Sequence, residues 1–201
     1  EDWQAQHQSV LAAAARPIAV SATGLAAEER DPGEVEQSPR GRTLGDGAAI
    51  GSAVHAVLQS IDLGTGEGLS EICASAAAAE GLGGRTDLVE ALCRSALGSD
   101  VIQRAARCRH FREVYVGVPD SDRVLEGFID LLYEDGDGVA IVDYKTDSWK
   151  DASELDAKVE RYRSQMLAYV RAVRESVGRD VVSATLLFLG KSGAVARQVG
   201  V

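Results

Sequence analysis

The chain is poor in cysteine, and its cysteines are not spaced to work together. Cys73, Cys93 and Cys108 are the three present in 201 residues, and no C-x-x-C occurs. That argues against a zinc ribbon or an iron–sulfur clip, and reduced thiols in a cytoplasmic protein are expected. Long apolar runs are also missing. The alanine-rich stretch 72–79 ends at Glu80, far short of bilayer length, so no membrane partner is expected. The first residues, Glu1-Asp2-Trp3, have no initiator Met, no basic n-region and no apolar h-region. A piece of a longer protein, without a secretory signal, is therefore expected. Positive charge is scarce too: 21 Lys and Arg face 31 Asp and Glu, for a net charge of −10. A protein that coats DNA through its charge is usually basic. The imbalance is uneven, because residues 150–201 hold nine Lys/Arg against six Asp/Glu, a net of +3.

What is present centres on residues 124–147, VLEGFIDLLYEDGDGVAIVDYKTD. Val124–Tyr133 and Val139–Tyr144 have strand composition, and the Asp-Gly-Asp-Gly at 135–138 has hairpin chemistry. Each strand carries an acid between hydrophobes: Asp130 between Ile129 and Leu131, and Asp143 between Val142 and Tyr144. Side chains alternate along a strand, so Asp143 and Lys145 share a face, and the hairpin brings Asp130 near both. A carboxylate on a buried strand is costly unless it is paired or holds a metal. Two carboxylates, a lysine and a nearby backbone carbonyl suit a hard divalent ion with oxygen ligands, and the chemistry suggested is phosphodiester hydrolysis. Asp-x-Lys by itself is common, and a surface hairpin with an Asp–Lys pair is the plain alternative.

The remainder of the chain supports one α/β unit. Residues 2–15 read as a helix containing His7, and 16–48 as a Pro- and Gly-rich loop, so 1–48 is expected to be a helical arm and linker. Residues 49–61 form a helix whose stripe is Ile50, Val54, Val57, Leu58 and Ile61, with His55 beside it. Such a histidine is more often packing than ligand. Further helices are expected over 69–80, 86–97 and 99–106. The basic cluster 104–112, RAARCRHFR, is either a solvated helix end or a phosphate contact. Glu113–Val118 alternates as a strand, and Trp149 is open to base stacking or to packing. Residues 153–177 make the longest helix, with Gln165 and Tyr169 one turn apart, and strands follow at 181–189 and 194–199. The predicted fold is an α/β sandwich: a mixed central sheet flanked by helices, with a three-strand meander and a crossover helix before the fourth strand.

Four motifs, in order between about residues 49 and 190, together resemble a known family. They are Gly51-x-x-x-His55, Gly127-Phe-Ile-Asp130-Leu, Asp143-Tyr-Lys145-Thr and Gln165-x-x-x-Tyr169. The chain is similar to the PD-(D/E)XK nuclease superfamily, and more narrowly to the RecB/AddA-type nuclease domain at the C-terminus of bacterial helicase–nucleases. The resemblance implies a restriction-endonuclease-like fold over 49–201, with 1–48 the tether from a motor domain. It also implies Mg2+ or Mn2+ held by His55, Asp130, Asp143 and the carbonyl of Tyr144, with Lys145 acting on the attacking water or the scissile phosphate. Gln165, Tyr169 and Glu113 would orient DNA or brace the site. The implied activity is metal-dependent DNA exonuclease cleavage during double-strand-break repair and recombination. The implied partners are a single strand or unwound duplex end, a helicase motor in cis and a second helicase–nuclease subunit. The four-cysteine iron–sulfur site of some relatives has no counterpart here. Two alternatives stay open: a catalytically silent module that guides DNA or docks onto a partner protein, and a stand-alone restriction or repair endonuclease of the same superfamily.

Overall fold

The computed structural model describes residues 19–21, 44–120 and 123–201. The expected helix over 2–15 and most of the 16–48 segment lie outside the described residues. In chain order the elements are β1 (Ala19–Ser21), α1 (Leu44–Ser60), α2 (Leu69–Ala79), α3 (Thr86–Leu97), α4 (Asp100–Ala105), β2 (His110–Asp120), β3 (Arg123–Asp135), β4 (Gly138–Lys145), α5 (Ala152–Val177), β5 (Val181–Gly190) and β6 (Gly193–Val199). Helix α1 starts at Leu44 rather than at residue 49, and β1 lies within the stretch whose composition reads as loop. Among the described residues no helix is long and apolar enough to cross a membrane.

Local chemistry explains the element ends. Asp151 caps α5 by accepting the Glu154 N–H at 2.9 Å. Gly178, at φ 67°, closes the same helix in the left-handed region, its N–H returning to the Arg174 carbonyl at 3.1 Å. The hairpin between β3 and β4 is a two-residue turn, Gly136-Asp137, with φ 60° at its first position. Gly138 is required where β4 begins beside β5, because an added Cβ would sit 2.7 Å from the Asp180 carbonyl oxygen.

The strands form one mixed sheet. β2, β3 and β4 are an antiparallel meander, β5 lies parallel to β4 beyond the α5 crossover, and β6 closes the far edge antiparallel to β5. One face packs under α1 to α4 through residues including Leu131, Tyr133, Val142 and Tyr144. The other packs on α5 through Ile129, Leu132, Ile141, Leu186 and Phe188. All five members of the expected stripe are buried, four on α1 and Ile61 just past its end. β1 and β4 share one edge of β3: β1 pairs in parallel with residues 124–126, and β4 in antiparallel fashion with 131–135. Residues 127–130, the Gly-Phe-Ile-Asp motif, lie in the gap between them.

Candidate functional site

The site begins where two ladders fail. The β3–β4 register runs from Asp135 opposite Gly138 to Leu131 opposite Val142, so Asp130 and Asp143 stand opposite each other at the point where pairing stops. The strands part there, and the Asp130 side chain takes over one ladder bond: its Oδ2 accepts the Tyr144 backbone N–H at 2.6 Å. On the other edge of β3, Arg112 pairs with Leu131 and Val114 with Ile129, and the intervening Glu113/Asp130 step is skipped. Glu113 has φ 50°, left-handed backbone that costs a non-glycine residue about 1–3 kcal/mol.

The break changes which face the side chains take. Leu131 belongs to the core under α1–α4, yet Ile129, two residues away, packs toward α5. Arg112 reaches the end of α1, while Val114 packs toward α5. Asp130 and Glu113 thereby meet His55, on α1. His55 Nδ1 donates to Asp130 Oδ1 at 3.0 Å, and one ligand atom from each of His55, Glu113 and Asp130 lies within 4.8 Å of the other two. Helix α1 is held on either side of the histidine. Gly51 passes Thr146, whose Oγ1 would lie 3.4 Å from an added Cβ, and Arg112 Nη1 donates to the carbonyls of Leu58, Gln59 and Ile61 at 3.2, 2.8 and 2.5 Å. The Tyr144 ring packs edge-on against the imidazole, centroids 5.9 Å apart.

Charge is concentrated here. Burial alone would lower the His55 pKa, but the hydrogen bond with Asp130 and the charges of Asp130 and Asp143 outweigh it, and the imidazole is raised. Glu113 is raised by burial first and then by the charge of Asp130, with His55 opposing. Asp143 is raised by burial and the Asp130 charge against the pull of Lys145.

Asp143 and Lys145 occupy the α5 side. Lys145 Nζ lies 2.7 Å from Asp143 Oδ2 and donates to Gln165 Oε1 at 3.0 Å. Gln165 Nε2 in turn reaches the Tyr169 hydroxyl at 3.0 Å and Asp143 Oδ1 at 3.4 Å. The ammonium also sits 3.9 Å from the Tyr162 ring centroid, and the Tyr162 hydroxyl donates to Asp147 at 2.9 Å. The ammonium approaches Asp143 obliquely, as an ion pair, so Asp143 Oδ2 is buried without a well-aligned hydrogen bond.

His55, Glu113, Asp130, Asp143, Tyr144, Lys145, Gln165 and Tyr169 lie in this one region, with a change of grouping, while His7 lies outside the described residues. The three-residue cluster contains Glu113, which the resemblance assigns to support or DNA contact, and it does not contain Asp143. Asp143 instead faces Lys145 and Gln165. The Tyr144 peptide contributes an N–H to Asp130, and its carbonyl leaves the strand on the same edge. Glu113 is legible only through the resemblance, since alternation along β2 says nothing of His55 and its rung is missing from the β2–β3 ladder. Trp149 packs edge-on against Phe188 at 6.1 Å and lies over Gly190, and Arg112 of the basic cluster caps the end of α1. Elsewhere in the basic cluster, Arg104 pairs with Asp135 at 3.2 Å and Arg109 lies over Phe111. Two carboxylates and an imidazole are a donor set that suits a divalent cation, and the buried Asp143 carboxylate, paired with Lys145, lies beside them.

Comparison with known proteins agrees with this geometry. The family model described as the PD-(D/E)XK nuclease superfamily matches residues 31–200. An ATP-dependent helicase/nuclease polypeptide of Streptococcus sanguinis is 32% identical over 157 residues, 72% of this chain and 12% of that protein. The protein of the same name from Desulforudis audaxviator is 40% identical over 85 residues, 41% of this chain and 7% of its own length. That of Streptococcus pneumoniae is 29% identical over 160 residues, 72% and 12% respectively. The chain thus spans about an eighth or less of these relatives. A match over nearly the whole described fold, coinciding with a carboxylate–imidazole cluster at a split strand pair and an Asp–Lys pair beside it, shows that the chain belongs to the PD-(D/E)XK nuclease superfamily.

Proposed function

We propose that the chain is the metal-dependent nuclease domain of a bacterial helicase–nuclease, hydrolysing phosphodiester bonds at DNA ends during double-strand-break repair and recombination. The observation that carries this reading is the convergence of His55, Glu113 and Asp130 beside Asp143 and Lys145. His55, Glu113 and Asp130 would hold Mg2+ or Mn2+, with Asp143 Oδ2 and the Tyr144 carbonyl at hand for the remaining coordination. A divalent ion there supplies polarisation of a phosphate oxygen and lowers the pKa of a water.

The protein's own groups do the rest. Lys145 is held by Asp143 and Gln165 beside the carboxylate cluster, where it would donate to the attacking water or to charge developing on the phosphate. Gln165 makes hydrogen bonds from both ends of its amide, and with Tyr169 behind it the lysine is kept from swinging toward solvent. Asp130 fixes the tautomer and ring plane of His55 while its other oxygen is tied to the Tyr144 peptide. The strand polarity of the DNA, the motor domain in cis and a second helicase–nuclease partner belong to the longer protein in this reading, in the bacterial cytoplasm, with residues 1–48 as the tether.

The test is degradation of end-labelled single-stranded DNA in Mg2+ or Mn2+, wild type against Asp143→Ala. Loss of cutting in the variant, with an unchanged fold by circular dichroism, is expected. Equal activity in the two proteins defeats the site assignment. A wild type that binds no divalent ion by calorimetry, but binds a partner protein, favours the silent docking module.

A further inference from the structure

We propose that Tyr115 and Phe128 form a stacking platform for one unpaired nucleobase next to the carboxylate cluster, so that the site takes single-stranded nucleic acid with a base seated on this pair. The proposal rests on the nuclease reading above for its substrate class.

The two aromatics have no role in the core. Tyr115 is 56% exposed and Phe128 54%, whereas the large side chains of both core layers are buried. They are directly opposite one another in the β2–β3 ladder, and their rings meet edge to face with centroids 5.4 Å apart. Each lies two residues from a member of the carboxylate cluster, Tyr115 from Glu113 and Phe128 from Asp130. That is about 7 Å along a strand. They also share the cluster's side of the sheet. Val114, Val116, Val118 and Ile129 pack toward α5, so by alternation Tyr115 and Phe128 point to the opposite face, the one on which α1 presents His55.

The platform is built rather than loose. The Tyr115 hydroxyl donates to Glu126 Oε2 at 2.8 Å, and the ring reaches along the strand over Gly117, where an added Cβ would lie 3.3 Å from that hydroxyl oxygen. A glycine and a carboxylate thus hold the phenol in one orientation. The same surroundings select the occupant. Glu126 and Glu113 flank the rings and disfavour a phosphate on the platform itself, whereas a neutral flat base gains the stacking. A base within a duplex already has both faces stacked, so the fit is to an unpaired one.

The experiment uses the wild-type chain, Tyr115→Ala, Phe128→Ala and the conservative Phe128→Tyr. The probe is a short oligothymidine strand carrying one 2-aminopurine, read by fluorescence at low ionic strength in EDTA, where nothing is cut. Wild type is expected to quench the probe, each alanine variant to bind about tenfold or more weakly, and Phe128→Tyr to stay within about twofold of wild type. A strand of the same length with every base replaced by an abasic residue, read by anisotropy, should erase the difference between wild type and Phe128→Ala. In Mn2+ the alanine variants should raise KM for single strands with little change in kcat.

Equal binding of wild type and alanine variants overturns the platform whether or not the chain cuts DNA. Loss of binding that tracks a fallen melting temperature and is not rescued in Phe128→Tyr makes the pair a structural cross-strand contact and also overturns it. Stacking lost in the variants of a chain that neither binds Mn2+ nor cuts would uphold the platform and remove the nuclease reading alone.

Discussion

Glu113→Gln tests the carboxylate cluster through stability rather than activity. The substitution keeps shape and removes one negative charge from a group whose oxygen lies within 4.8 Å of the Asp130 carboxylate. Two unit charges at that distance repel by about 3.5 kcal/mol at an effective dielectric of about 20, and by about 0.9 kcal/mol in water. Glu113 is half-buried and the His55 imidazole offsets part of the repulsion, so a net relief of about 1 kcal/mol is expected in EDTA. For a chain of this size that raises the melting temperature by about 2–4 °C. Saturation reverses the order. At a hundredfold excess over Kd, a divalent ion stabilises wild type by about 2.7 kcal/mol, or about 5–10 °C. If losing a ligand weakens binding about a hundredfold, the variant gains only about 0.4 kcal/mol at the same concentration. Scanning calorimetry in EDTA and in Mn2+ should therefore show the two melting temperatures crossing: the variant higher without the ion, and wild type higher with it. A variant less stable than wild type in EDTA, or equal Mn2+ shifts in the two proteins, would refute the assignment of Glu113 to the cation.

Three further outcomes test the frame around the site. Arg112→Ala leaves the carbonyls of Leu58, Gln59 and Ile61, at and just past the end of α1, without their charged donor and should cost about 2 kcal/mol in urea unfolding, with Arg112→Lys recovering only part because it lacks the fork. Gly138→Ala drives a methyl group to 2.7 Å from the Asp180 carbonyl and should cost about 1–3 kcal/mol by the same measurement; a neutral effect would mean that β4 and β5 do not approach as described. Asp62 accepts the Thr65 N–H at 2.7 Å, the Thr65 hydroxyl at 3.0 Å and the Gly64 N–H at 2.9 Å, and these hold its carboxyl below its ordinary value. A depressed folded pKa means stabilisation that is complete above the unfolded value of 3.8 and lost as pH falls from there through the folded value. The melting difference between wild type and Asp62→Ala should accordingly narrow in that acid window and stay constant above it.

Much of this site can be read from the chain because its strands announce themselves by local pattern. The Asp-Gly-Asp-Gly turn, once read as a two-residue loop, sets Asp135 opposite Gly138, and counting back from there places Asp130 opposite Asp143. Helical spacing likewise puts His55 beside the buried stripe of α1, and Gln165 one turn from Tyr169. What stays hidden depends on contacts distant in sequence. The Arg112 cap on α1 spans more than fifty residues, and β1 is three residues whose partner is found only across the sheet.

The most consequential hidden feature is a failure of the very pattern that makes the strands legible. Counting in twos from Leu132, which packs toward α5, would put Asp130 on the α5 side with Asp143 and Lys145 and turn it away from His55. The same count along β2 from Arg112 would send Glu113 away from α1. Both strands instead break step at the same rung, where Glu113 takes left-handed backbone and the ladder skips a pair. That local cost turns two carboxylates toward the imidazole on one face, while Asp143 and Lys145 keep to the other, and the fork between β3 and β4 lets the two groups meet. A regular hairpin with the same residues would hold the same acids, lysine and histidine, but on opposite sides of a sheet, where no single ion or phosphate reaches them all.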